Sequence, residues 1–327
     1  MNRRNDPHGA WGKPPKTDTG RVLPRKHSLY RRAAAALALA LAATQWATSP
    51  ALSRSIPSSL VVRSITAPLT VETFADVLVS PPAKVSGELM PVGNLPGWRQ
   101  IFTEDFTKSV PLGSFPSAVS RTWGAYPYPW QDSPRNGRYH PGKTVSWHDG
   151  MADIWLHTER GEHLVAALAP KINGPKEGEG QLYGRYAIRF RAESIPGYKA
   201  AWLLWPTSEV WPRDGEIDFP EGSFDGLIDA FMHRRGATFG GDQDVHAAGV
   251  PFASDWHTAV IEWSPGSVKF YLDGRLVGHS TSRVPNRPMR WVIQNETENT
   301  STPPPDWSQG HVFIDWVAVY SRMSARR

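Results

Sequence analysis

Three carboxylates fall within the stretch Gly215-Glu216-Ile217-Asp218-Phe219-Pro220-Glu221, spaced E-x-D-x-x-E. In a β-strand, side chains alternate faces, so Glu216 and Asp218 share one face. Glu221 lies an odd number of positions beyond Glu216, and a regular strand would turn it away. A β-bulge adds one residue and restores the phase. Pro220 suits that position, because proline inside a sheet is confined largely to edges and bulges. A bulge at Phe219-Pro220 therefore predicts all three acids on one face. Like charges so arranged repel, and a fold has no need of them. Retaining glycoside hydrolysis does: it uses two carboxyl groups about 5–5.5 Å apart, one as nucleophile and one as acid/base. A solvated acidic strand edge would give the same spacing, so the flanking elements must decide.

Upstream, Tyr183-Gly184-Arg185-Tyr186-Ala187-Ile188-Arg189-Phe190 leads to Ala200-Ala201-Trp202-Leu203-Leu204-Trp205-Pro206 and then Trp211-Pro212. Taken with the acidic strand, this order resembles glycoside hydrolase family 16, in the bulged, laminarinase-like form of the motif. The resemblance runs from about Trp98 to Tyr320. It implies an all-β fold, a β-jelly-roll sandwich of two antiparallel sheets with a concave substrate cleft. It implies that Glu216 is the nucleophile, that Asp218 assists it and that Glu221 is the acid/base. Pro220 departs from the family pattern, where many laminarinases carry Met, but removes no catalytic group.

Composition agrees with many short strands. The chain of 327 residues holds 28 Gly, 30 Pro and 15 Trp, and 40% of it is apolar, enough for a core. The net charge of +5 is unevenly spread. Residues 1–32 carry nine Lys/Arg against two Asp, which is +7, so the other 295 residues sum to −2. The basic charge belongs to the leader, and nucleic-acid binding is excluded as its meaning. There are no cysteines, which excludes a disulfide framework and a zinc–thiolate site.

The chain divides into 1–51, 52–93 and 94–322. Arg31-Arg32 precede the Ala/Leu run from Ala33 to Ala43, which has the length and flank of a signal-peptide core and is short for a membrane span. Cleavage after Ala51 would release an extracellular protein. If the segment stays uncleaved, it anchors the protein to a membrane. Residues 52–93, rich in Ser, Pro and Val, read as a linker with a short strand near Leu60–Val62.

Within the domain, Trp123 to Trp130 is dense in aromatics and broken by Pro127 and Pro129, which suits a loop. Trp123 and Trp130 are candidate sugar-stacking platforms there, with packing onto the sandwich edge as the alternative. Indole presents a flat apolar face to a pyranose and an N–H to its hydroxyls. By the family resemblance, Trp202 and Trp211 line the cleft, with Trp205 a further candidate, and His233 in Phe231-Met232-His233 lies on a cleft strand. Gln294 and Glu296 share a face in Trp291-Val292-Ile293-Gln294-Asn295-Glu296 and could bond sugar hydroxyls. Asp273-Gly274 marks a type I′ hairpin turn in a scaffold meander. Asp315 matches a position that binds a structural calcium in many relatives. The chemistry itself needs no cofactor.

The reading is a secreted, endo-acting, retaining β-glycosidase, monomeric, acting on a polysaccharide. The bulged motif points to β-1,3- or mixed-linkage β-glucan. Glu216 attacks the anomeric carbon. Glu221, its pKa raised by neighbouring carboxylates, protonates the leaving oxygen. Two alternatives remain at this point. One is a lectin-like binding module, which would not need clustered acids. The other is a transglycosylase, which differs only in the acceptor.

Overall fold

The computed structural model describes residues 86–174 and 180–323. The expected signal segment, its cleavage point and the strand near Leu60–Val62 lie outside the described residues. Among the described residues, sixteen strands carry the fold. They are β1 (Trp98–Glu104), β2 (Trp123–Ala125), β3 (Gly137–Tyr139), β4 (Val145–His148), β5 (Met151–Glu159), β6 (Glu162–Pro170), β7 (Gly184–Ala192) and β8 (Tyr198–Pro206). They continue with β9 (Glu216–Ser223), β10 (Leu227–His233), β11 (Gln243–Pro251), β12 (His257–Ser264), β13 (Ser267–Leu272), β14 (Arg275–Ser280), β15 (Met289–Thr297) and β16 (Gly310–Arg322).

The strands are hydrogen-bonded in the order β11-β10-β9-β8-β15-β6-β5-β16-β7-β12-β13-β14. The β5–β6 hairpin divides this path into two layers. One, the cleft sheet, runs from β11 to β6; the other, the back sheet, runs from β5 to β14. Pairing is antiparallel throughout, apart from the short parallel β3–β6 contact. The all-β jelly-roll architecture expected from the sequence is therefore present.

Alternation explains how the layers meet. Tyr186, Ile188 and Phe190 of β7 are buried, while Arg185, Arg189 and Arg191 face outward. The inward rings reach across to the cleft sheet. Phe190 lies 5.0 Å from Trp202 of β8, Tyr186 lies 5.5 Å from Trp291 of β15, and Phe219 of β9 lies 5.5 Å from Phe270 of β13. These edge-on contacts suit the ring quadrupoles. The β13–β14 turn has positive φ at both Asp273 (51°) and Gly274 (76°), as a type I′ hairpin requires.

Two local expectations need correction. Trp123–Ala125 is a strand paired with β6 and not a loop, because Trp123 is wholly buried against Phe102, Phe106 and Trp147. The linker expected over 52–93 does not reach 93. Ser86 is buried, its hydroxyl donates to Asp315, and Met90 packs beside Trp316 on the back sheet.

Asp315, the position that the family resemblance ties to a structural calcium, is buried, and its carboxylate accepts from the Ser86 hydroxyl. The Arg189 guanidinium holds the Ser86 carbonyl at 2.7 Å and the Glu88 carboxylate at 3.0 Å.

Candidate active site

The acidic strand β9 is bulged where the spacing predicted. Against β10, Asp229 pairs with Glu221 and Phe231 with Asp218. Against β8, Ala201 pairs with Glu221 and Leu203 with Asp218. On each side, three steps along β9 match two steps along its neighbour. The extra residue lies within Phe219-Pro220. Glu216, Asp218 and Glu221 consequently all line one cavity of about 190 Å³ on the outer surface of the cleft sheet.

The floor of that cavity is built from four neighbouring strands. β8 supplies Lys199, Ala201, Leu203 and Trp205, β9 the three acids, β10 His233, and β15 Gln294 and Glu296. Trp211, from the segment between β8 and β9, forms a wall and stacks on Trp205 at 6.2 Å and 20°. His233 Nδ1 meets the carbonyl of Gly240 at 2.8 Å, an oxygen that can only accept, so Nδ1 carries the hydrogen. Its Nε2 then faces Asp218 at 3.2 Å and Glu216 at 3.8 Å.

Burial dominates the electrostatics. Glu216 is 8% exposed and Asp218 2%. Loss of water pushes the carboxyl of Glu216 well above the ordinary range. Asp218 and Glu221 push it further, while His233 and the indole N–H of Trp211 oppose them. Burial likewise raises Asp218 strongly, followed by the charge of Glu221, with Lys199 acting against both. Two buried carboxyls this close do not both ionise readily. Glu216, Asp218 and His233 also form the one group of three acid or imidazole side chains, among the described residues, with ligand-type atoms within 4.8 Å. No further donor points to an ion there, and we assign none.

Some sequence candidates are in the cleft and some are not. Trp205, Trp211, His233, Gln294 and Glu296 line it. Gln294 is 2% exposed, and its Oε1 is a buried acceptor with no protein partner. Glu296 is partly committed: its Oε1 accepts from the Ser133 backbone, the Ser133 hydroxyl and Tyr139. Trp202 is not in the cleft. It belongs to the opposite face of β8, wholly buried, with its indole N–H donating to Asn295 at 3.2 Å. Trp123 is core, its N–H donating to Glu104. Trp130 packs against the core beside Tyr126, outside the cavity.

Lys199 was missed. It is the one lysine or arginine lining the cavity among the described residues, and its Nζ lies 3.2 Å from Glu221 Oε1. The signal was present in Tyr198-Lys199-Ala200-Ala201-Trp202-Leu203-Leu204-Trp205. The charged residue marks the wet face, which puts Ala201, Leu203 and Trp205 in the cleft and Trp202 in the core.

Known proteins agree with this architecture. Residues 159–318 match the family model of glycosyl hydrolases family 16. The domain that carries the cleft belongs to glycoside hydrolase family 16. The chain is 27% identical to the beta-glucanase of Bacillus subtilis (strain 168) over 141 residues, which cover 40% of this chain and 56% of that protein. It is 31% identical to a glucan endo-1,3-beta-glucosidase of Cryptopygus antarcticus over 161 residues, covering 43% and 53%. It thus spans about half the length of these curated relatives. The catalytic domain of the laminarinase from Thermotoga maritima MSB8 superposes with a TM-score of 0.56 at 19% identity, covering 69% of this chain and 99% of that one. The laminarinase from Rhodothermus marinus gives 0.54 at 20%, covering 69% and 98%. At these identities the two structures establish the fold.

Proposed function

We propose that this chain is a secreted, endo-acting, retaining β-glycosidase of polysaccharides, acting on β-1,3- or mixed-linkage β-glucan. The observation that carries the proposal is the bulge in β9, which brings Glu216, Asp218 and Glu221 onto one face of a cleft walled by indoles. The glucanase names of the relatives support the substrate class. The Ala/Leu run behind Arg31-Arg32 supports export.

The chemistry follows from the side chains. Glu216 is the nucleophile by its place in the E-x-D-x-x-E motif; burial holds its carboxyl above the ordinary range, and the charge of His233 acts against that shift. Asp218, on the same face of β9, orients Glu216 and shares its charge. The Glu216 carboxylate forms a bond to the anomeric carbon while the bond to the leaving oxygen breaks. Glu221 gives that oxygen its proton. Esterification removes the charge of Glu216 from the cleft. Glu221, now a carboxylate, takes a proton from water, the oxygen of that water attacks the anomeric carbon, and Glu216 is released. Trp205 and Trp211 offer ring surface to sugar faces, and Gln294 Oε1 offers an acceptor to a hydroxyl.

The test is reducing-sugar release from laminarin, lichenan, agarose, carrageenan and xyloglucan, beside a Glu216→Gln control. Release from the β-glucans that vanishes in the control is the expected result. Release only from another polymer would overturn the substrate assignment. Binding without release from any polymer would overturn the hydrolase assignment.

A further inference from the structure

Lys199 is out of place by the ordinary rules of a sheet. It is 8% exposed, and a buried ammonium costs several kcal/mol unless charges and hydrogen bonds repay it. The acids around it come from every neighbouring element. β9 contributes Glu221 at 3.2 Å and, further along, Asp218 and Glu216. β15 contributes Glu296, backed by Asp132 and Tyr139. From β10 come Asp229, opposite Glu221 in register, and His233. Glu298, just after β15, lines an adjoining cavity of about 420 Å³ that continues past Lys199 and Glu221. Burial works against the charge of Lys199, but Glu221, Glu296 and Asp218 outweigh it, and its pKa lies above the ordinary lysine value. Lys199 in turn opposes the upward shift of both Asp218 and Glu296.

We propose that Lys199 is a positioning residue: its ammonium, 3.2 Å from Glu221 Oε1, holds the Glu221 carboxyl at the junction of the two cavities. The proposal rests on the reading of Glu221 as acid/base. When Glu221 is a carboxylate, the ion pair fixes its place beside the bond to be cut. When Glu221 is protonated, the pair loses its attraction and the carboxyl is free to meet the leaving oxygen. Lys199 keeps its own proton throughout and makes no bond to substrate.

Two measurements test this on the full chain. In the first, kcat/KM on laminarin is followed against pH for wild type, Lys199→Met and Lys199→Arg. Removing the cation makes the surrounding carboxyls easier to protonate, so the Lys199→Met profile should move to higher pH by about one to three units. Its kcat should fall more than its KM rises, and Lys199→Arg should restore the wild-type profile. An active Lys199→Met with an unmoved profile would overturn the proposal.

The second needs no turnover. The Lys199 ammonium is titrated by NMR of lysine-labelled protein, its signal assigned by its loss in Lys199→Arg. Its midpoint should drop by about one unit or more in Glu221→Gln, and an unchanged midpoint would overturn the proposal. This result stands even if Lys199→Met does not fold. Absence of wild-type activity on every glucan would instead strike the hydrolase reading, leaving the NMR test of the ion pair intact.

Discussion

The two sheets handle charge in opposite ways. On the back sheet, polar groups are matched in pairs. Arg185 pairs with Glu262 at 3.1 Å across β7 and β12, and His257 meets Asp273 at 2.7 Å. Asp153 holds His311 at 2.7 Å and His148 at 3.1 Å. On the cleft sheet, acids outnumber the bases set among them, and they are buried. Glu216, Asp218 and Glu296 all have raised carboxyls, each chiefly from burial. Pairing at a surface is what stability and solubility require, and each such pair contributes little. Concentrating buried like charge works against stability and is retained where chemistry needs it.

The largest effect should come from removing the cleft's strain at its centre. Glu216→Gln should lower kcat/KM on β-glucan by on the order of 10⁴-fold or more, while the protein stays folded. Its thermal midpoint at pH 7 should equal or exceed that of wild type, because a buried acid that resists ionisation has gone. A variant that loses activity and stability together would break the contrast between the sheets.

The two faces of β8 give the next test. Trp202→Ala should cost about 3–5 kcal/mol of stability by denaturant titration, as for other buried indoles. Trp211→Ala should instead lower kcat/KM by about tenfold, from lost stacking on sugar, with a smaller loss of stability. Equal effects of the two on stability and activity would mean that the face assignment is wrong.

The pH dependence of folding separates the sheets again. The carboxyls of Glu216 and Asp218 have raised values in the fold, so the native state binds protons that the unfolded chain has released above about pH 4. Their contribution is greatest below that pH and is lost as pH rises through the folded values. Asp218→Asn should flatten the fall in stability toward neutral pH. His148 and His311 are raised by their carboxylate partners, Asp149 first for His148 and Asp153 for His311. Their contribution is complete below about pH 6.5 and fades as pH rises through the folded values. Asp153→Asn should remove a small part of the stability in that window and leave activity unchanged. The smallest effect belongs to Arg185–Glu262, whose double-mutant coupling should be below about 1 kcal/mol.

The site was legible where chemistry constrains spacing. The E-x-D-x-x-E pattern with Pro220 demanded a bulge, and the register of β9 against both neighbours contains it. The shared face of Gln294 and Glu296 was legible by parity alone. Parity also decides β8, where Trp202 and Trp205 fall on opposite faces and only Trp205 lines the cleft. Tryptophan is a cleft residue and a core residue with equal ease, so Trp202 carried no information about direction, whereas Lys199 did. Trp123 and Trp130 were illegible for a related reason. Aromatic density marks packing and sugar binding alike, and only the partners Phe106, Trp147 and Tyr126 show which applies. The contacts of Ser86 with Arg189 and Asp315 were beyond reach, since Ser86 is more than a hundred residues away from either in sequence.

The central claim is that Glu216 and Glu221, brought to one face by the bulge, perform a double displacement. The most direct measurement is proton NMR of the newly formed reducing end during laminarin cleavage, recorded before mutarotation. The account predicts that the β-anomer appears first, with net retention. An α-anomer appearing first would mean single displacement by water, and would contradict the assignment of Glu216 as nucleophile.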